Sequence, residues 1–318
     1  MTTQLIRSSK GQWRTLAPMD QPRSHTPIIP AGGQLYIFGG GGPNFKSLNA
    51  THAFDPTAGP AGQWQRRADM PTARSGTIGC SVDGKIYIIG GGFKQPDGMF
   101  RFLNTVEIYD PIRDTWEAGP DMLMPHDYPG GLLMGDYIYI LGGHHPDATR
   151  GGPKTDPGFD FCERLNLKTG QWEEIAPLPT PRFALSAVVY NDQLLTMGGV
   201  AFTPEGFNNF TVIERYDPTH NRWTTLTDLA LPWTAAGQAN IVLRDRLYTF
   251  GGYSGDGIHH HAAYFDAATR EWVATPEMPA PRAAMGITIL NDTIYLVGGW
   301  EDDRRAPVDT LFTFTPAD

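Results

Sequence analysis

Met70-Pro71-Thr72-Ala73-Arg74-Ser75-Gly76-Thr77-Ile78-Gly79-Cys80-Ser81-Val82-Asp83-Gly84-Lys85-Ile86-Tyr87-Ile88-Ile89-Gly90-Gly91 is the stretch whose reading decides the fold. Ser75 to Val82 reads as one strand, Asp83-Gly84 as the two-residue turn that hairpins prefer, and Lys85 to Ile89 as an apolar second strand closed by a glycine pair. Further on, Tyr109-Asp110-Pro111 marks the end of a third strand and Trp116 lies on a fourth. The unit recurs at a pitch near fifty residues. Its glycine pairs are Gly39-Gly40, Gly90-Gly91, Gly142-Gly143, Gly198-Gly199, Gly251-Gly252 and Gly298-Gly299, and its tryptophans are Trp13, Trp64, Trp116, Trp172, Trp223 and Trp272. A period of this size indicates a radial array or solenoid of one repeated supersecondary unit.

Four antiparallel strands repeated six times predict an all-β fold, a six-bladed β-propeller whose sheets leave only short protected edges. The sequence opens on a fourth strand, Gly11 to Leu16, and its last repeat stops at a third, Thr310 to Phe314. An N-terminal strand that completes the last blade therefore closes the ring. The predicted blades span about 17–66, 68–118, 122–174, 178–225, 230–274 and 277–318 with 11–16, in a single domain 1–318. The tryptophans are expected to fill the wedges between blades.

Composition narrows the function classes. With 25 basic and 34 acidic residues the formal charge is −9, which disfavours nucleic acid or an anionic membrane as partner. The first residues lack an apolar leader segment, and no run reaches the length of a membrane span. A cytoplasmic chain is expected. Cys80 and Cys162 fall in different repeats and read as free thiols. Gly79 to Lys85 approximates a phosphate loop, but Ile86 stands where Ser or Thr is needed and the context is a hairpin.

The run Met-Pro-x-x-Arg, Ile-Tyr-Ile-x-Gly-Gly, Tyr-Asp-Pro and Trp resembles the kelch repeat, and the resemblance covers nearly the whole sequence. It implies a six-bladed kelch propeller. These 318 residues leave no room for a BTB or F-box segment, which weakens an adaptor reading. Kelch propellers serve as interaction platforms, sugar-acid isomerases and metal-dependent lyases, so the fold alone assigns no function. The resemblance also implies that the loops after Gly-Gly and the Met-Pro-x-x-Arg turns share one mouth of the channel. From the second glycine to the Asp that ends strand three, or its equivalent, these segments run 15, 19, 23, 18, 14 and 16 residues, against two-residue turns on the opposite face. Long loops of this kind carry function.

Their chemistry suits a ligand pocket. The third-blade loop holds His144, His145, Asp147, Arg150, Lys154, Asp156, Phe159 and Phe161; the fourth Phe202 and Phe207; the fifth Tyr253, Asp256 and His259 to His261; the sixth Trp300 and Arg305. Aromatics mixed with a few charges are a pocket composition. Arg23, Arg74, Arg182 and Arg282 share one repeat position and are expected to ring the entrance, where guanidinium groups capture an anion; the bland reading is that they bond to backbone carbonyls. Blade three carries Tyr128 in the arginine's place, preceded by His126, and blade five carries Ala235, preceded by Trp233.

Two readings follow. The first is a small-molecule enzyme of isomerase, cyclase or lyase type, with His126, Tyr128, His144 and His260 moving protons, the four arginines holding a polar or anionic group, and Trp233, Phe207 and Trp300 as walls. N-acetylneuraminate epimerase has a similar ring. The alternative is a non-catalytic module that binds an acidic peptide of a protein partner on the same face. No cofactor is expected. A divalent metal between His144 or His145 and His259 to His261 is the sharpest alternative, although the Glu-x-x-x-Asp-x-x-x-His iron motif of the kelch lyases of plant glucosinolate metabolism is absent.

Overall fold

The computed structural model describes residues 6–7, 10–148, 156–204 and 206–317. Six four-stranded antiparallel sheets follow one another along the chain, as the repeat predicts. Blade one is built from Ile28–Ala31, Gln34–Phe38, Thr51–Asp55 and Gln63–Arg67; blade two from Ile78–Val82, Lys85–Ile89, Val106–Asp110 and Thr115–Ala118. Blades three, four and five begin at Gly130–Met134, Ser186–Tyr190 and Ala239–Leu243. Blade six has Gly286–Leu290, Thr293–Val297 and Leu311–Thr315, and Gln12–Thr15 completes it by pairing antiparallel with the last of these. The expected closure is therefore present. One addition was not legible: Ile6–Arg7 runs parallel to the outer strand of blade five, at Val273 and Ala274.

The core lies between blades. Each apolar cluster draws on two neighbours; Ile29, Phe38 and Ala53 of blade one, for example, pack with Met70, Ile86, Ile88 and Tyr109 of blade two. The tryptophans join these clusters and add one directional bond each. Trp64 Nε1 donates to Ala17 O, Trp116 to Ala68 O, Trp172 to Pro120 O, Trp223 to Ala176 O, Trp272 to Ala230 O and Trp13 to Pro276 O. Each of these six indoles thus ties the outer strand of its blade to the linker that enters that blade, giving its N–H an acceptor while its ring packs between blades.

The glycine pairs are required by approach as well as by turning. Gly39 lies in the left-handed region, and a Cβ there would come 2.6 Å from Arg74 O of the next blade; at Gly251 the same atom would meet Arg282 O at 2.1 Å. The next amide closes the contact, with Gly40 N donating to Arg74 O and Gly252 N to Arg282 O. A side chain at the first position would force neighbouring blades apart. Cys80 and Cys162 are buried, and burial pushes both thiols up to about 12, so neither is a nucleophile at neutral pH.

Candidate functional site

The linkers enter the innermost strands through six equivalent residues, His25, Gly76, Tyr128, Ala184, Gly237 and Ala284. Their backbones form a closed circle. Gly76 N donates to His25 O, Tyr128 N to Gly76 O, Ala184 N to Tyr128 O, Gly237 N to Ala184 O, Ala284 N to Gly237 O and His25 N to Ala284 O. All six have positive φ, between 50° at His25 and Ala184 and 67° at Gly76. Glycine adopts this conformation freely, whereas His25 and Tyr128 are held in it at a cost of about 1–2 kcal/mol each. Such strain persists where the surroundings impose it and marks places where a side chain is wanted. The circle is the throat of an axial cavity of ≈ 480 Å³, lined below it by Thr26, Thr77, Ser186, Gln238 and Asn240 among apolar residues.

Two residues before each throat position is the arginine tier, and here the expectation of a ligand-binding ring is corrected. Arg23, Arg74 and Arg182 are 0 % exposed and Arg282 2 %. Arg74 Nη1 donates to Gly90 O and Thr105 O while Nη2 lies 2.7 Å from Glu107; Arg182 Nη1 is 2.6 Å from Glu214 Oε2. Arg23 Nη1 donates to Gly39 O and Ala50 O, and its Nη2 donates to His52 Nδ1, whose other nitrogen then donates to Asp20. Arg282 reaches Glu301, Thr310 Oγ1 and the face of Phe312. These guanidinium groups are spent inside the blades, and none lines the cavity.

The tier also corrects the alignment of blade three. Met122, not Met124, takes the repeat's methionine position: Met122 N donates to Asn104 O as Met70 N does to Asn49 O. Counting from Met122 places His126, rather than Tyr128, in the arginine's place. His126 is fully buried, Nδ1 facing Gly142 O at 2.6 Å and Nε2 facing Glu163 at 3.1 Å, a guanidinium's partners met by a smaller ring. It is a structural tie and not a proton carrier at the mouth. In blade five both partners are gone, Ala235 replacing the arginine and Ala263 the acid, and Trp233 fills the space with Nε1 donating to Gly251 O. Trp233 is 8 % exposed and is no wall of the site.

Around the throat the remaining side chains form an unbroken belt. Tyr128 meets His144 edge to face at 5.3 Å, His144 stacks on Phe183 at 3.9 Å, and Phe183, Phe202, Phe207 and Tyr253 continue it at 5.8, 4.7 and 6.1 Å. Arg305 lies over Tyr253 at 4.8 Å and over Trp300 at 5.7 Å; Trp300 meets His25 at 4.6 Å, and His25 returns to Tyr128 at 4.5 Å. Tyr128, His144, Phe207 and Trp300 were legible as loop or motif residues. His25 and Phe183 were not, although His25 follows Arg23 by the same two residues that separate Tyr128 from His126.

The belt has one polar focus. Asp156 is fully buried and accepts from His144 Nδ1, from His145 N at 3.2 Å and from Gly158 N at 3.1 Å. Burial opposes its charge, but these donors, His144 foremost, hold the carboxyl below its ordinary range. The bond fixes the ring of His144 with Nδ1 as donor, and Nε2 has no hydrogen bond among the described residues. Burial keeps the Tyr128 phenol protonated far above its ordinary value and, with Asp156 nearby, keeps the Asp127 carboxyl well above its own. His25 is pushed down to about 3 by burial and by the cationic forms of His144 and Arg305, so its ring is neutral. Among the described residues the belt therefore offers an oriented imidazole, a protonated phenol and the guanidinium of Arg305 among aromatic walls.

His260 stands apart, its side chain 45 % exposed and 3.5 Å from Glu277. Among the described residues, the alternative of the blade-three and blade-five histidines converging on one metal is not formed: His144 is taken by Asp156, and His259 bonds to Ser254. Arg150 and Lys154 lie outside the described residues.

Comparison with known proteins follows this geometry. The family model of the KLHDC2/KLHL20/DRC7 Kelch-repeats domain matches residues 4–199 and again 130–318, the full set of blades. The chain is a member of the kelch-repeat family. This kelch propeller is 26 % identical to Kelch-like protein terF of Aspergillus terreus (strain NIH 2624 / FGSC A1156), over 96 % of its own length and 68 % of that protein. It is 29 % identical to Kelch-like protein 36 of Mus musculus, covering 84 % of itself but only 42 % of that relative. The solved structure titled "Structure of YjhT" superimposes with a TM-score of 0.80 over 95 % of this chain and 97 % of the other; at 18 % identity it shows the fold alone. Among the described residues, no helix is long and apolar enough to cross a membrane.

Proposed function

We propose that the mouth of this kelch propeller binds a small polar molecule and moves a proton on it, in a reaction of isomerase, cyclase or lyase type. The observation that carries the reading is the pair of Asp156 and His144 set edge-on to Tyr128 at the rim of the throat. An imidazole oriented through Nδ1 by a buried carboxylate presents Nε2 as acid or base. The protonated phenol of Tyr128 donates a hydrogen bond to an oxygen that gains charge. Aromatic walls exclude water from the bound face, and Arg305 meets an anionic substituent.

The test is a thermal-shift panel of sugar acids and small carboxylates on the purified chain, followed by NMR observation of any stabilising compound. His144→Ala and Tyr128→Phe are expected to lower turnover 10²- to 10⁴-fold, the span of a general acid or base; Tyr128→Phe should change folding stability by no more than about 1 kcal/mol, whereas His144→Ala also takes the main donor from buried Asp156 and costs more. Turnover untouched by both variants would remove these residues from the chemistry.

A second reading has its own support. The curated relatives are Kelch-like proteins, and Phe45 and Phe207 stand 53 % and 36 % exposed at the rim. Exposed aromatics around a concave mouth also suit a loop of a protein partner. A panel without any shift, together with pull-down of a partner that Phe45→Ser and Phe207→Ser release, would establish that role.

A further inference from the structure

The one group of three metal-ligating side chains among the described residues lies outside the aromatic belt, where strand three of blade five begins and the linker leads into blade six. The ligand atoms of His260, His261 and Glu277 all fall within 4.8 Å of one another. We propose that these three residues form a site for a borderline divalent transition-metal ion, of which Zn²⁺ is the representative.

The geometry favours this over an ion pair. His260 Nε2 and Glu277 Oε1 are 3.5 Å apart, long for a charge-assisted hydrogen bond. Bonds of about 2.0–2.1 Å to a tetrahedral ion place neighbouring donors about 3.4 Å apart, which is this separation. The third donor, on His261, lies within 4.8 Å of the other two and needs a rotamer adjustment of at most about 1.4 Å to join them at that separation. Two imidazoles and one carboxylate are the donor set of three-ligand zinc sites, and the exposure of His260 and Glu277, 45 % and 59 %, leaves the fourth position to water.

The backbone brings these ligands together before any ion arrives. Met278 N donates to His260 O at 3.0 Å, clamping the linker beside Glu277 to the histidine run, and Gly251 N donates to His261 O at 2.9 Å. His261 rests edge to face on Trp233 at 5.4 Å, which steadies its ring. Neighbouring histidines do not compete. His259 is bonded to Ser254 through Nε2, and no other described cluster offers three donors at this spacing. An ion here cross-links two segments, and none of its ligands belongs to the aromatic belt whose chemistry is proposed above.

The test uses the tag-free, chelator-treated full chain, titrated with Zn²⁺ by calorimetry and with Co²⁺ by visible absorption. One ion per chain is expected, with a tetrahedral Co²⁺ spectrum and a Tm raised by a few degrees at saturating Zn²⁺. His260→Ala and Glu277→Gln should each weaken Zn²⁺ binding at least about ten-fold and abolish the Tm rise, whereas His220→Ala, an exposed histidine elsewhere on the surface, should change neither. Absence of stoichiometric binding, or binding indifferent to both ligand variants, would overturn the site.

Discussion

Two tiers of the propeller, separated by only two residues along each linker, behave in opposite ways. The arginine tier, Arg23, Arg74, His126, Arg182, Ala235 and Arg282, is buried and directed into its own blade; where the arginine is lost, a neighbouring ring takes over its bond to the first glycine of the pair, as His126 and Trp233 do. The throat tier, His25, Gly76, Tyr128, Ala184, Gly237 and Ala284, keeps one backbone conformation and one circle of hydrogen bonds while its side chains vary from none to a phenol. Regular chemistry on a varied background belongs to the fold. Varied chemistry on a regular backbone belongs to the site, because side chains there are not needed to hold the ring together.

The contrast is broken most forcefully at Arg182. Its partner Glu214 is as buried as it is, so Arg182→Ala leaves an uncompensated carboxylate and is expected to lose about 3–5 kcal/mol in urea denaturation. A variant that kept its stability and lost a ligand response instead would move the arginines into the site.

A smaller effect sharpens the throat tier. His25 has an ordinary pKa of 6.5 and is pushed down to about 3 when folded, so the unfolded chain takes up the proton first. Stability contributed by the neutral ring is complete above about pH 6.5 and falls as the pH drops toward 3, by at most about 1.4 kcal/mol per unit. His25→Asn, which tolerates the left-handed backbone, should flatten that part of the stability profile relative to the wild type, the other titrating groups being common to both. Parallel profiles would mean that the ring is not held neutral.

The smallest change is a gain. Ala184→Gly and Ala284→Gly release left-handed strain at φ of 50° and 57° but add freedom to the unfolded chain. Each is expected to stabilise by a few tenths to about 1 kcal/mol in thermal denaturation. Destabilisation by both would show that the throat does not strain its residues.

Much of the fold was legible because its signals are local. Asp83-Gly84 sets a hairpin by its own dihedral preferences, and the glycine pairs and tryptophans repeat at a pitch that admits few architectures. The closing strand followed from counting, since a repeat that starts with strand four and ends with strand three has one completion. The site was read only in part. His144, Phe207 and Trp300 were found because aromatics and histidines in long loops draw attention by type alone, and Tyr128 because it was read in the place the repeat gives to arginine. His126 and Trp233 drew attention beside departures from that arginine and proved to be internal ties. Met124-Pro125 imitates the repeat's turn two residues late, and nothing short of the bond from Met122 N to Asn104 O reveals the true register.

Sequence by itself determined the number of blades, their strands and the closure of the ring, because periodicity and turn chemistry are properties of neighbouring residues; that the long loops gather on one face was what the resemblance to the kelch repeat implied. Only the tertiary structure decided which side of each linker a side chain occupies. The guanidinium groups turn inward because buried carbonyls and carboxylates on the adjacent strands satisfy them there. His25, Tyr128 and His144 meet because the circle of backbone bonds brings residues 25 and 128 to a single rim and the bond from His144 N to Asp127 O adds a third segment there. That convergence is a property of the closed ring, and no stretch of the chain carries it alone.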